Sequence, residues 1–232
     1  MIEPRRSEER GHADHGWLRS WHSFSFADYH DPAHMGWGPL RVINEDIVAA
    51  GTGFGMHGHR DMEIVTYLLT GPLRHEDSMG NGSTFRRPEV QRMSAGSGVR
   101  HSEFNASNDA AVHLLQIWIE PDVRGIAPEY EQKVFDDDAK RGRWVIIASP
   151  DGRAGSLTIH QDALLLASIV GAGGAQQYDL AAGRRGYLHV VRGEVTLNGH
   201  ALAAGDAAKI ADETLLEISA DSEAELLLFD LP

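Results

Sequence analysis

The sequence contains no cysteine among its 232 residues. Disulfide bonds, thiolate metal ligands and cysteine nucleophiles are therefore excluded, so any bound metal must be held by His, Asp or Glu side chains. Basic residues are also few. The chain has 21 Lys and Arg residues and 34 Asp and Glu residues, which gives a formal net charge of -13. An acidic surface repels the phosphates of nucleic acids, so we expect no direct nucleic-acid binding.

Long apolar segments are missing as well. The longest mainly apolar run, Ala163 to Val170, is far shorter than the roughly 18 residues needed to span a bilayer. The first ten residues are rich in Glu and Arg, unlike a secretory signal peptide. We therefore expect a cytoplasmic protein without membrane association. Hydrophobic residues still make up 42% of the chain, which is typical of a globular protein with a core.

Short runs of β-branched, aliphatic and aromatic residues recur along the chain, separated by turns that contain Gly or Pro. EIVTYLLT (Glu63 to Thr70), closed by Gly71-Pro72, is one example. This pattern predicts an all-β fold of the barrel or sandwich type. We expect a linker between Gly125 and Arg143, with a helix around Glu129 to Val134.

Two similar patterns suggest that the fold is repeated. TYLLTG, which ends at Gly71, is similar to HVVRG, which ends at Gly193, and SAG ending at Gly96 is similar to AAG ending at Gly205. We therefore predict two tandem β-barrels in one chain, an N-terminal barrel over residues 1–130 and a C-terminal barrel over residues 131–232.

Four residues form two pairs with the spacing of neighbouring positions on one strand face. His57 and His59 occur in GFGMHGHRDME, and His101 and Glu103 occur in GVRHSEFN. Residues i and i+2 of a strand point to the same side, so the four side chains converge if the two strands are neighbours. Imidazole and carboxylate ligands suit Fe, Mn, Co, Ni, Cu or Zn rather than Ca or Mg. The pattern predicts one divalent transition metal.

These segments resemble the cupin superfamily. The first cupin motif is matched by Gly51, His57, His59, Glu63 and Gly71, with one extra residue before the last glycine, and part of the second is matched by Gly98, His101 and Asn105. Gly96 stands where the second motif usually has proline.

The resemblance to the pirin family is closer and covers Trp21 to Pro121 densely. One departure is Gly58, where pirins commonly have proline between the two histidines. The pirin-like segments are WHSFSFADYHDP (from Trp21), LRVINEDIV (from Leu40), HRDMEIVTYLLTG (from His59), HEDSMGNG (from His75), VQRMSAGSGVRHSEFN (from Val90) and LQIWIEP (from Leu115).

The resemblance implies a bicupin fold and a metal site. In many cupins the glutamate of the first motif binds the metal, which would be Glu63, whereas pirins use the position of Glu103. We prefer Glu103, with His57, His59 and His101 as the other ligands. Fe(II) is the first candidate, and Cu, Ni, Co, Mn and Zn are the alternatives.

The family also implies a function, because it includes quercetin 2,3-dioxygenases. The substrate would be a flavonol such as quercetin together with O2, Glu103 would act as the catalytic base, and ring cleavage would release CO. The alternative is a non-enzymatic regulator that senses redox state through the metal and binds a protein partner. A deep pocket over the metal would favour the enzyme, with Phe24, Phe26, Met56 and Phe104 as candidate wall residues.

The C-terminal half lacks the ligand set. Matching Gly71 to Gly193 sets Asp179 and Ala181 opposite the first histidine pair, and matching Gly96 to Gly205 sets Ile210 and Asp212 opposite the second pair. We therefore expect a C-terminal barrel without metal ligands. Since one chain already pairs two barrels, we expect a monomer.

Overall fold

The computed structural model describes all 232 residues, and nearly all of its regular structure is β-strand. Up to residue 134 the strands are β1 (Ile2–Arg5), β2 (Gly11–Asp14), β3 (Leu18–His22), β4 (Leu40–Val48), β5 (Gly53–His59), β6 (Glu63–Thr70), β7 (Pro72–Asp77), β8 (Gly82–Arg86), β9 (Glu89–Ser94), β10 (Val99–Asn105), β11 (Val112–Ile119) and β12 (Glu129–Val134). The remaining elements are the helix α1 (Asp137–Lys140) and the strands β13 (Val145–Ser149), β14 (Leu157–Thr158), β15 (Leu164–Val170), β16 (Gly174–Asp179), β17 (Arg185–Arg192), β18 (Glu194–Leu197), β19 (His200–Ala203), β20 (Ala207–Ile210), β21 (Leu215–Ala220) and β22 (Ala224–Leu231).

The chain forms two compact units. The first unit comprises Gly11–Val134 and Leu157–Gln161, and the second comprises Met1–Arg10, Phe135–Ser156 and Asp162–Pro232. The chain thus begins in the second unit, where β1 pairs with β20. The two domains predicted from the sequence, residues 1–130 and residues 131–232, stay a prediction.

The first unit consists of a seven-stranded and a four-stranded antiparallel sheet. The larger sheet has the order β12-β9-β6-β11-β4-β3-β2, and the smaller one has the order β5-β10-β7-β8. One end of the space between them is filled by buried apolar side chains from both sheets, including Val48, Leu68, Leu73, Phe85 and Leu114. The predicted metal residues lie on β5 and β10, at the edge of the smaller sheet.

The second unit repeats this topology. Its larger sheet contains the order β1-β20-β17-β22-β15-β13, and its smaller sheet has the order β16-β21-β18-β19. Its core is aliphatic throughout, with Leu188, Val190, Leu197, Leu226 and Leu228 among its fully buried members. Exposed and buried residues alternate along β21, as expected for a strand with one face in solvent. All residues of β22 are buried, as expected for a strand in the centre of a sheet.

The predicted all-β bicupin fold is confirmed, with one correction of shape. Each half is a jelly-roll-like pair of sheets and not a closed barrel. The helix predicted around Glu129 to Val134 is wrong, because this segment is strand β12, which pairs with β9 along its whole length. Arg92 on β9 pairs with Glu129 and Glu131 on β12, so cross-strand ion pairs favour the strand. No helix is long and apolar enough to cross a membrane.

The sheet orders also correct the sequence match between the halves. In the second unit, β16 and β21 occupy the places that β5 and β10 occupy in the first. Gly96 precedes β10, whereas Gly205 precedes β20, so matching these glycines is one strand out of step. The inward positions of β21 are Leu216 and Ile218, both buried, rather than Ile210 and Asp212.

Candidate metal centre

Three histidines meet on the neighbouring strands β5 and β10. His101 lies directly opposite His57 in the antiparallel register, and His59 lies two residues further along β5. His101 Nε2 is 3.0 Å from His59 Nε2 and 3.1 Å from His57 Nε2. The predicted convergence of these three side chains is therefore present, and their ring nitrogens face a common point.

The tautomer of His57 follows from its backbone contact. Its Nδ1 lies 2.7 Å from the carbonyl oxygen of Gly55, and a carbonyl oxygen only accepts, so Nδ1 carries the proton. The Nε2 of neutral His57 is then an unprotonated nitrogen directed at the cluster. A backbone acceptor on the far ring nitrogen is a common feature of metal-binding histidines.

Burial and the neighbouring imidazoles lower the pKa of two histidines of the cluster, His59 and His101. Burial, followed by the proximity of His101 and His57, lowers the pKa of His59 to about 4. Burial, followed by His57 and His75, lowers the pKa of His101 to about 3. Neutral imidazoles are the form that binds metals, and several nitrogen lone pairs directed at one point repel each other unless a cation or proton lies among them. The donor set therefore fits a transition metal ion.

Glu103 lies on β10 beyond a bulge that separates it from His101. Its carboxylate is buried and faces the larger sheet. Gln91 Nε2 donates to Oε1 at 2.9 Å, and Gln116 Nε2 donates to Oε2 at 2.7 Å. Thr66 Oγ1 lies 3.2 Å from Oε1. Amide donors on two strands thus fix the orientation of the carboxylate, which still has acceptor capacity for a further partner.

A fourth histidine, His75, is part of the same cluster of rings. It lies on β7 opposite Glu103, is fully buried, and its ring centroid is 5.3 Å from that of His101. The ligand atoms of His75, His101 and Glu103 form a second group within 4.8 Å of one another, besides the group of His57, His59 and His101. His75 was not predicted from the sequence, although HED places His75 and Asp77 at the same i, i+2 spacing as the two predicted pairs.

Glu63 lies on the other face of the larger sheet. It belongs to β6, where Thr66 faces Glu103, and residues three apart on a strand point to opposite sides. Glu63 instead accepts a hydrogen bond from Ser94 Oγ at 2.7 Å, and burial raises the pKa of Glu63. Its surroundings include Arg92 and no histidine of the cluster.

A cavity of about 380 Å³ opens onto the cluster. Its lining includes His57, His59 and Glu103, and its other walls come from β2, β3, β4, β11 and the loops that follow β2 and β3. The apolar part of the wall contains Leu18, Phe26, Ala27, Phe54 and Trp118, and the polar part contains His12, His15, Ser20, His22, Asp28, Tyr29, Asn44, Asp46 and Gln116. The size is within the usual range for small-molecule sites, about 300–1,000 Å³.

Of the four wall residues expected from the sequence, only Phe26 lines the cavity. Its ring packs edge-on against Trp118 with centroids 5.5 Å apart. Phe24 is instead fully buried, Met56 is half exposed, and Phe104 lies under the guanidinium of Arg74. Phe104 neighbours Glu103 on β10 and therefore points to the opposite face of the strand.

Known proteins match this chain over its whole length. Residues 4–119 match the pirin family model, and residues 146–231 match the model for the quercetinase C-terminal cupin domain. A protein from Escherichia coli K12 named quercetin 2,3-dioxygenase is 51% identical over 232 residues, which cover 100% of this chain and 99% of that one. A pirin-like protein from Caulobacter vibrioides is 44% identical over 231 residues, covering 99% of both.

Solved structures are also similar to this chain. The crystal structure of a bacterial pirin from Escherichia coli in complex with nickel(II) is 49% identical to this chain, with a TM-score of 0.96 over 100% of this chain and 99% of the other. A quercetin 2,3-dioxygenase from Acinetobacter baumannii, at 19% identity, has a TM-score of 0.78 over 99% of this chain and 78% of that one. At this low identity the second likeness concerns the fold alone.

Proposed function

Since the chain belongs to the pirin family, we propose that it is a metal-dependent dioxygenase that cleaves flavonols such as quercetin. The reaction consumes one O2 for each flavonol and releases one CO, while the remaining atoms stay in the opened product. The observation that carries this proposal is the cavity of about 380 Å³ that opens onto three convergent imidazoles and a buried carboxylate. The family relatives named quercetin 2,3-dioxygenase support the choice of substrate class.

We assign His57, His59, His101 and Glu103 as the metal ligands, with Fe(II) as the first candidate and Cu, Ni, Co, Mn and Zn as alternatives. The contact between His57 Nδ1 and the Gly55 carbonyl and the convergence of the Nε2 atoms support the histidines. Four protein ligands leave open positions on a metal that prefers six. A metal bound there would supply Lewis acidity for the substrate hydroxyl and redox chemistry with O2.

Glu103 has a second role as the base for the 3-hydroxyl proton of the flavonol. The carboxylate lines the cavity, and its amide donors Gln91 and Gln116 hold it there. Both amides donate to the carboxylate and leave it acceptor capacity for the hydroxyl group of the substrate.

The cavity also favours the enzyme over the non-enzymatic regulator that would sense redox state through the metal. A sensor that acts through a protein partner needs no enclosed space over its metal, whereas a flavonol does. Aromatic side chains such as Phe26 and Trp118 in the wall suit a flat aromatic substrate. The monomeric state, the cytoplasmic location and the absence of nucleic-acid binding stay predictions from the sequence.

The test combines metal analysis with turnover. Natively expressed protein is analysed for bound metals, and oxygen uptake and CO release are then measured with quercetin. We expect about one metal per chain, and matched consumption of O2 and flavonol. His101→Ala should lose both metal and turnover, whereas His200→Ala, on the exposed strand β19 of the second unit, should keep both. Metal-loaded wild-type protein that consumes no O2 with any flavonol would contradict the proposal.

A further inference from the structure

One polar side chain from each of five neighbouring strands lies in a single row across the larger sheet of the first unit. In register, His22 is opposite Asn44, Asn44 is opposite Gln116, Gln116 is opposite Thr66, and Thr66 is opposite Gln91. Directly opposed residues of neighbouring strands lie on the same face of a sheet. The members on β9, β6 and β11 contact Glu103. The members on β4 and β3 continue the row and line the cavity.

Asn44 has an acceptor that the protein leaves unused. The residue is 3% exposed, it lines the cavity, and no protein group donates to its buried Oδ1. Its neighbour in the row, Gln116, is already engaged with Thr66 and Glu103. A buried acceptor without a donor is unfavourable, so a rotation of the Asn44 amide that turns Oδ1 into the cavity, where a hydroxyl group can donate to it, would stabilise a complex with a bound molecule.

Asp46 adds a second acceptor beside it. It follows Asn44 by two residues on β4 and therefore shares its face, and it also lines the cavity. Ser20 Oγ donates to its Oδ1, and no hydrogen bond of the fold engages Oδ2. The polar wall of β4 thus offers two acceptors, next to a wall of aromatic side chains. Hydroxyl groups on an aromatic ring are the donors that match this combination.

We propose that Asn44 Oδ1 and Asp46 Oδ2 form an acceptor subsite for those phenolic hydroxyl groups of the substrate that do not face the histidine cluster. This inference rests on the proposed function for its substrate class. It makes Asn44 and Asp46 residues that determine specificity, since they distinguish polyhydroxylated flavonols from flavonols that carry only the 3-hydroxyl group.

The experiment compares two ligands in two variants at pH 8, where the Asp46 carboxyl, whose pKa burial raises to about 7, is mostly ionised and can accept. Quercetin carries additional hydroxyl groups, whereas 3-hydroxyflavone keeps the oxygens that would face the metal and lacks the others. Asn44→Leu keeps the approximate shape of the side chain and removes the acceptor. We expect kcat/KM for quercetin to fall about tenfold, mainly through KM, since one buried hydrogen bond is lost, while the value for 3-hydroxyflavone stays unchanged. Glu45→Gln, which faces the other side of β4 and contacts His113, is the matched control and should change neither value.

A second variant distinguishes the loss of an acceptor from a folding defect. Asp46→Asn keeps an oxygen for Ser20 and replaces the cavity-facing acceptor with a donor, so it should weaken quercetin alone. Circular dichroism and metal content verify that each variant is intact. An equal loss for both ligands, or no loss for quercetin in either intact variant, would overturn the subsite.

Binding under anaerobic conditions separates this inference from the proposed function. Quercetin and 3-hydroxyflavone are titrated into metal-loaded protein and followed by tryptophan fluorescence. If quercetin binds with the expected dependence on Asn44 but is not turned over, the dioxygenase proposal fails and the subsite stands. If both flavonols are turned over without any dependence on Asn44 and Asp46, the subsite fails and the dioxygenase stands. Failure of quercetin to bind at all overturns the subsite as well.

Discussion

Replacing Asp46 with asparagine tests how the polar interior of the first unit responds to pH. The carboxyl is buried, and burial is the main cause that raises the pKa of Asp46 to about 7, with Glu103 and Glu45 adding to the effect. The hydrogen bond from Ser20 opposes the shift. Asparagine has the same shape and keeps an oxygen for Ser20, but it does not ionise, so the substitution removes the titration and little else.

The sign of the effect follows from the two protonation states. Because the pKa of Asp46 in the folded protein lies above 3.8, its ordinary value, the folded chain binds more protons than the unfolded chain between about pH 4 and pH 7. Stability is therefore lost as the pH rises through this range. A pKa shift of about 3 units amounts to about 4 kcal/mol when it is complete, of which about 1.5 kcal/mol is already lost at pH 5. The stability of Asp46→Asn relative to wild type should grow by about 2.5 kcal/mol from pH 5 to pH 8.

Urea denaturation of chelator-treated protein at several pH values between 5 and 8 measures this difference. Tryptophan fluorescence reports mainly on the first unit, because only Trp144 of the five tryptophans lies outside it. Ser20→Ala should make the wild-type dependence steeper, since it removes the hydrogen bond that lowers the pKa of Asp46. A difference between Asp46→Asn and wild type that stays constant within about 0.5 kcal/mol, or that shrinks with pH, would refute the reasoning.

Three further outcomes are expected. Glu103→Ala should weaken metal binding at least about tenfold in a competition assay with a chelator, whereas Glu63→Gln should not, and equal effects would contradict the assignment of Glu103. Gly53→Ala should lower the free energy of unfolding by about 1–3 kcal/mol or more in urea, because a Cβ there would lie 2.2 Å from the Glu103 carbonyl oxygen, and an unchanged midpoint would count against the close β5–β10 approach. Leu228→Ala, in the aliphatic core of the second unit, should cost about 2–5 kcal/mol while the metal content per folded chain stays the same, and a loss of metal would show that the units are coupled.

Local sequence pattern was sufficient to predict most of the fold class and three residues of the cluster. The period-two spacing of His57 and His59 fixes a shared strand face whatever the strand pairs with. Adjacency of β5 and β10 is not a local property, and it came from the resemblance to a family. His75 was missed for the same reason, because its contact with His101 depends on the pairing of β7 with β10.

The polar row shows more clearly which contacts cannot be predicted from the sequence pattern. Its members come from strands up to about 90 residues apart in the chain, and each of them alone is an ordinary polar residue in a β-rich segment. Only the long-range register places Asn44 beside Gln116 and Gln116 beside Thr66. The mismatch between Gly96 and Gly205 has a related cause, since glycine is favoured at many β-turns and does not identify which turn of the repeat it occupies.

The two units share a topology but differ in the side chains between their sheets, because only the first unit contains the candidate metal site. In the second unit the inward positions of β21 are Leu216 and Ile218, and the space between the sheets is closed by aliphatic side chains. In the first unit the corresponding strand β10 carries His101 and Glu103, and burying a carboxylate there is costly unless donors face it. The amides of the polar row provide those donors, so the row is a consequence of placing Glu103 inside the fold. The row continues past Glu103 to Asn44, whose Oδ1 receives no hydrogen bond from the protein, and the proposed subsite for the substrate depends on this unpaired acceptor.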